Sequence, residues 1–99
     1  MKRHVRFSPR AWREIERGAA WWRRNRDKAP DAFDADTNAA IDLIRSEPHI
    51  GTPIRARRVG VRAVWIERIG YYMYYVEISD EVVEILALWH ASRGSRPKL

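Results

Sequence analysis

Ninety-nine residues, 45% apolar and 32% charged, leave room for one domain with a modest core and exclude a disordered chain. The absence of cysteine rules out disulfides and thiolate metal sites, and no apolar run nears the roughly 20 residues of a membrane-spanning helix. The net charge of +6 favours contact with nucleic acid or an acidic protein segment, although a solvated arginine-rich exterior accounts for the same number.

Val5-Arg-Phe7 alternates as a short strand does, and Ser8-Pro9 then opens a helix with Ser8 as N-cap and Pro9 in the first turn. Trp12, Ile15, Ala19 and Trp22 recur at i, i+3, i+7 and i+10, which predicts one apolar stripe. Gly18 interrupts that pattern and weakens the helix by about 1 kcal/mol relative to alanine, which points to a close helix–helix approach. Ala29-Pro30-Asp31 ends this helix and starts another, with Asp31, Asp34 and Asp36 at the end of the dipole that favours anions. Phe33, Ala40, Leu43 and Ile44 form its expected apolar stripe, and Pro48 closes it.

Residues 10–28 carry net charge +4 and residues 29–47 carry −4. The two helices are joined tightly enough to be antiparallel neighbours, and these opposite charges are expected to help set their pairing. His49–Arg58 reads as a loop containing Gly51-Thr-Pro53 and the arginines Arg55, Arg57 and Arg58. Val59–Ile69, Tyr71–Ile78 and Val82–Trp89 then read as strands separated by turns at Gly70 and at Ser79-Asp80-Glu81. The last is apolar at nearly every position, so it is expected inside the sheet with both faces covered. The whole reads as an α+β fold, β-α-α-β-β-β, a two-helix antiparallel hairpin on a small, mainly antiparallel sheet.

That final strand leads into His90, Arg93 and Arg96, with no acidic residue after Glu84. An imidazole and two guanidiniums on one rim suit a phosphate or an acidic partner. Tyr71, Tyr72, Tyr74 and Tyr75 with interleaved arginines allow base stacking, but aromatics also fill strands in a packed sheet. Trp21 lies off the helix stripe and is a candidate anchor for a partner. No glycine-rich phosphate loop is present, and His4, His49 and His90 fall in separate elements, so neither metal nor cofactor is expected.

Val5-Arg-Phe-Ser-Pro ahead of a helix, Pro48-x-x-Gly51, Gly60-Val-Arg62, Gly70-Tyr71 with Tyr75, and Ile85-Leu-x-Leu-Trp-His90 with Arg93-Gly94 together resemble the RelE/ParE superfamily. These are the toxins of bacterial type II toxin–antitoxin systems, and the resemblance spans nearly all of residues 1–99, expected to be a single toxin domain. It implies a cytoplasmic protein with no membrane association, held in a hetero-oligomer by a cognate antitoxin, as in plasmid stabilization modules.

The RelE-like branch cuts messenger RNA on the ribosome without a metal, and the ParE-like branch poisons DNA gyrase. Cleavage needs a proton acceptor, a proton donor and cations for the phosphate. The residues available for this are His90, Arg62, Arg68, Arg93 and Glu67. Yet Tyr72 stands where RelE-like nucleases carry an arginine, and Val59–Ile69 has no lysine. His90 also reads as a structural residue, and Arg62 as an internal anchor paired with a carboxylate. The resemblance therefore points to gyrase inhibition, with Arg57, Arg58, Arg62, Arg93, Arg96 and Trp21 expected at the partner-binding rim. A ribosome-dependent nuclease and a non-toxic basic interaction module are the alternatives.

Overall fold

Ser8 caps the first helix through its side chain, whose Oγ accepts from the Ala11 N–H at 3.0 Å. The computed structural model describes residues 2–99. Its elements are β1 (His4–Phe7), α1 (Pro9–Asn25), α2 (Ala32–Ser46), β2 (Thr52–Pro53), β3 (Val61–Ile66), β4 (Tyr71–Glu77) and β5 (Val82–His90). The strands form one sheet in the order β1-β5-β4-β3-β2, with β1 parallel to β5 and every other pairing antiparallel.

Two helices on a mainly antiparallel sheet is the arrangement expected from the sequence, with one addition. β2 lies inside the segment read as a loop, and two residues are too few to display a strand period. Pro53 has no N–H to donate, which suits this edge position. β3 is shorter than the apolar run Val59–Ile69, because the chain turns back at Gly70, whose φ of +75° costs glycine little. Among the described residues no helix is long and apolar enough to cross a membrane.

The helices cover one face of the sheet. α1 buries Ala11, Gly18 and Trp22, while Trp12 is 54% exposed and meets the Phe7 ring edge-on at 5.7 Å. The stripe expected through Trp12 therefore begins one residue earlier, and the small Ala11 lies at the interface in place of the indole. On α2, Phe33, Thr37, Ala40 and Ile44 are buried, and Leu43, expected in the core, is 39% exposed.

The expected charge pairing between the helices does not occur: among the described residues no ion pair links α1 to α2. Their charges lie on outward faces, where such pairs contribute under about 1 kcal/mol. Apolar contact sets the pairing instead. The Trp22 and Phe33 rings lie 6.3 Å apart, and Gly18 makes the space for Phe33.

A Cβ on Gly18 would stand 2.6 Å from Phe33 Cζ. Gly18→Ala should therefore destabilise, because overpacking costs about 1–3 kcal/mol against a helix gain of roughly 1 kcal/mol. Chemical denaturation measures the balance. An unchanged or raised stability would show that the ring moves aside freely.

The opposite sheet face has its own cluster of Val61, Ala63, Tyr74, Val76, Leu86 and Ala87, covered by Ile54, Ala56 and Leu99. β5 is thus buried on both faces, as its continuous apolar run requires. Behind the sheet, Tyr75 anchors the chain after α2. Its hydroxyl donates to Pro48 O at 2.8 Å and accepts from the Gly51 N–H at 2.9 Å.

One irregularity decides the orientation of the end of β5. Tyr74 pairs with Ala87 and Tyr75 with Ile85, so Leu86 is an extra, bulged residue. Before the bulge Val83 and Ile85 face the helices; after it Leu88 and His90 do, opposite Met73 and Tyr71. Unbroken alternation would reverse Trp89 and His90. The bulge sends Trp89 to the open face.

Candidate functional site: an arginine-flanked aromatic cleft

On that open face, Trp65 of β3 and Tyr72 of β4 are cross-strand partners, with ring centroids 4.7 Å apart. Tyr74 follows 6.2 Å from Tyr72, and Trp89 of β5 pairs with Tyr72 from the other side. These rings floor a cleft of about 480 Å³ whose far wall is the segment after β5, including Arg93 and Arg96.

Trp89 organises that wall. Its indole Nε1–H donates to Ser95 O at 2.6 Å, which folds the chain back over the ring. The Arg93 guanidinium sits 4.1 Å from the Trp89 ring centroid, and Arg10 of α1 lies 5.3 Å from it. Arg10 also donates to Lys98 O at 3.0 Å, tying the tail to the first helix. Among the described residues neither Arg93 nor Arg96 has a carboxylate partner.

Their charge is felt nearby. Burial pushes the Tyr71 hydroxyl above its ordinary pKa, and Arg93 opposes the rise by favouring the phenolate. Burial does the same at Tyr74, where Arg96 is the opposing cation.

Of the other sequence-derived candidates, His90 also lines this cleft, and the rest do not gather here. Arg62, opposite Tyr75, donates through Nη1 to Gly51 O at 2.7 Å and to His49 O at 3.1 Å. It is an internal anchor, but to backbone carbonyls rather than to the carboxylate expected. Arg58 pairs with Glu84 at 3.3 Å near the opposite end of β5, and Arg57 is exposed in the same loop. Trp21 flanks a separate, smaller hollow shared with Tyr71 and His90 on the helix side. The rim read from the sequence is thus divided among several surfaces, with Arg93 and Arg96 together at one of them.

The nuclease set is only partly gathered: His90 and Arg93 line the same cleft, whereas Arg62, Glu67 and Arg68 lie elsewhere. His90 Nδ1 accepts the Ser92 N–H at 3.0 Å and lies 2.6 Å from Ser92 Oγ. In the neutral ring this leaves the proton on Nε2. Glu67 lies in a different hollow, facing Asp36 and Leu43 of α2, and Arg68 is held by Asp36 at 2.6 and 2.9 Å. Among the described residues no ion pair joins His90 to a carboxylate. The arrangement presents cations and aromatic rings without an assembled acid–base pair.

Sequence reasoning did not single out Trp65, Trp89 or Arg10 for this site. A signal existed for the first: once the turn is centred before Gly70, antiparallel register places Trp65 opposite Tyr72. The contact of Arg10 with Trp89 spans most of the chain and leaves no local signal.

The family model described as "ParE toxin of type II toxin-antitoxin system, parDE" matches residues 5–94. No curated protein sequence matches. The fold is similar to a chain of the chromosomal ParDE TA system from P. aeruginosa (TM-score 0.70, 14% identity, 90% of this chain and 96% of that one). It is also similar to a chain of the YoeB dimer from Staphylococcus aureus (TM-score 0.61, 16% identity, 91% of this chain and 98% of that one).

Proposed function

Given that this chain belongs to the ParE toxin family of type II toxin–antitoxin systems, we propose that it arrests growth by binding DNA gyrase rather than by cutting RNA. The observation that carries this reading is the cleft of Trp65, Tyr72, Tyr74 and Trp89 with Arg93 and Arg96 at its edge, where His90 has no carboxylate beside it to complete an acid–base pair. Such a surface suits recognition of an acidic or planar partner group, since guanidinium pairs with carboxylate in two-point geometry. Hydrolysis has more demanding needs: among the described residues no carboxylate pairs with His90, and Glu67 lies in a different hollow.

In the resting complex a cognate antitoxin covers the helices and part of the sheet through an acidic or amphipathic tail, forming a hetero-oligomer in the cytoplasm. The basic surface and the exposed Trp12 and Trp21 support that arrangement.

Purified protein should block supercoiling by gyrase, and Arg93→Ala should raise the half-inhibitory concentration roughly tenfold, about 1.4 kcal/mol of binding. Normal supercoiling at saturating toxin would remove the proposal. Codon-linked cuts on programmed ribosomes that vanish in His90→Ala would transfer the protein to the nuclease reading.

A further inference from the structure

The arginines of this protein divide into two groups. Arg3, Arg6, Arg10, Arg45, Arg58 and Arg68 each lie within 4.0 Å of a carboxylate oxygen. After Arg10 the arginines of α1 differ: Arg13, Arg17, Arg23 and Arg24 are exposed and, among the described residues, have no carboxylate partner, as holds also for Arg57, Arg93 and Arg96. The acid adjacent to Arg13 is already engaged. Glu14 Oε1 accepts the Leu88 N–H at 3.0 Å, sealing the edge of β5 beyond β1, and its Oε2 pairs with Arg10 at 3.3 Å.

Helical spacing sorts these cations further. Arg13, Arg17 and Arg24 lie at i, i+4 and i+11 and share one stripe, opposite the buried Ala11, Gly18 and Trp22. Glu16 and Arg23 lie together along one border of it. The stripe is about 16 Å long at 1.5 Å per residue. Its central position is Ala20, while Trp12 and Trp21 fall on its flanks, so it has cations but no large apolar anchor. A small hollow of about 160 Å³ lies beside Arg17 and Trp21, but Arg13 and Arg24 do not line it, so most of the stripe offers a protein segment no pocket to fill. A phosphate backbone needs none, because its affinity comes from charge and counterion release.

We propose that the outer face of α1 is a docking surface for duplex DNA, engaging the phosphate backbone through Arg13, Arg17 and Arg24. Contact through phosphates carries no base sequence information, so binding is non-specific. None of Arg13, Arg17 and Arg24 lines the sheet cleft, although Arg17 and Arg93 border one small hollow, and occupation of the stripe does not depend on the gyrase reading. On a DNA-bound target the two faces would act together, the cleft on protein and the helix on phosphates.

The test uses the free full-length chain and a short fluorescent duplex of arbitrary sequence, with anisotropy followed from about 50 to 200 mM salt. Wild-type protein should bind with a steep dependence of log Kd on log salt. The triple variant Arg13→Gln, Arg17→Gln, Arg24→Gln should reduce that slope by roughly 2.7, at about 0.9 per phosphate contact. Glutamine preserves helix propensity, and a thermal melt checks the fold.

A matched Arg93→Gln, Arg96→Gln variant should keep the wild-type slope. No binding at the lowest salt, an unchanged slope in the folded triple variant, or a fall confined to the Arg93/Arg96 variant would each overturn the assignment. Binding to polyglutamate in preference to the duplex, lost in the triple variant, would also overturn it by assigning the stripe to an acidic protein segment.

Discussion

Truncating Phe33 to alanine should cost about 3–5 kcal/mol of folding stability, the range for removing a buried aromatic ring. The ring is 1% exposed and joins three elements. It meets Trp22 of α1 at 6.3 Å and Tyr71 of β4 edge-on at 5.5 Å, and it fills the gap over Gly18. For a chain of this size each kcal/mol shifts Tm by roughly 4–8 °C, so the melt should move far enough to measure without ambiguity.

The stronger test is the coupling with Gly18. In the Phe33→Ala background a Cβ at position 18 meets only the Tyr71 hydroxyl, at an ordinary 3.4 Å, so Gly18→Ala should turn from destabilising to stabilising by about 1 kcal/mol through helix propensity. Equal effects of Gly18→Ala in both backgrounds would show that the Phe33 contact is not the reason for glycine. If Phe33→Ala is too unstable to purify, Phe33→Leu carries the same cycle with a smaller cavity.

Trp89→Leu should weaken gyrase inhibition by roughly 5- to 150-fold, on the order of 1–3 kcal/mol from the cation–π contacts and one hydrogen bond. Trp89 touches the proposed partner surface mostly by holding others in place: Arg93 at 4.1 Å over its ring and Ser95 O at 2.6 Å from its Nε1. Trp89→Phe keeps an aromatic platform for Arg93 but loses the indole donor, so it should recover part of the activity.

Combining Trp89→Leu with Arg93→Ala should cost less than the two separately, since the first already misplaces the guanidinium. Supercoiling titrations alongside thermal melts separate this from unfolding. Full potency in a folded Trp89→Leu variant would end the positioning role.

Much of the architecture was legible because it rests on local rules. Ser8-Pro9 announced the start of α1, Gly70 the β3–β4 turn, and the unbroken apolar run of β5 its place between two strands with both faces covered. Family motifs spread from Val5 to Gly94 are legible for the same reason: each is short and keeps its spacing.

The site was less legible. Arg62, Arg93 and Arg96 look alike in sequence, yet the first donates to Gly51 O and His49 O behind the sheet while the others border an open cleft. A guanidinium on a long, flexible stem takes its role from whichever acceptor folding brings within reach.

By itself, then, the chain's order of polar and apolar residues determined most of the helices and strands, and that β5 is covered on both faces. Only the tertiary structure decided which rings and cations share a surface. One bulged residue, Leu86, reverses the facing of Trp89 and His90, and the outward charges of α1 and α2 stay apart because apolar contact through Phe33 governs their packing. Periodicity carries the alternation within a strand but not a one-residue slip. Such a slip depends on pairing with a neighbour far along the chain.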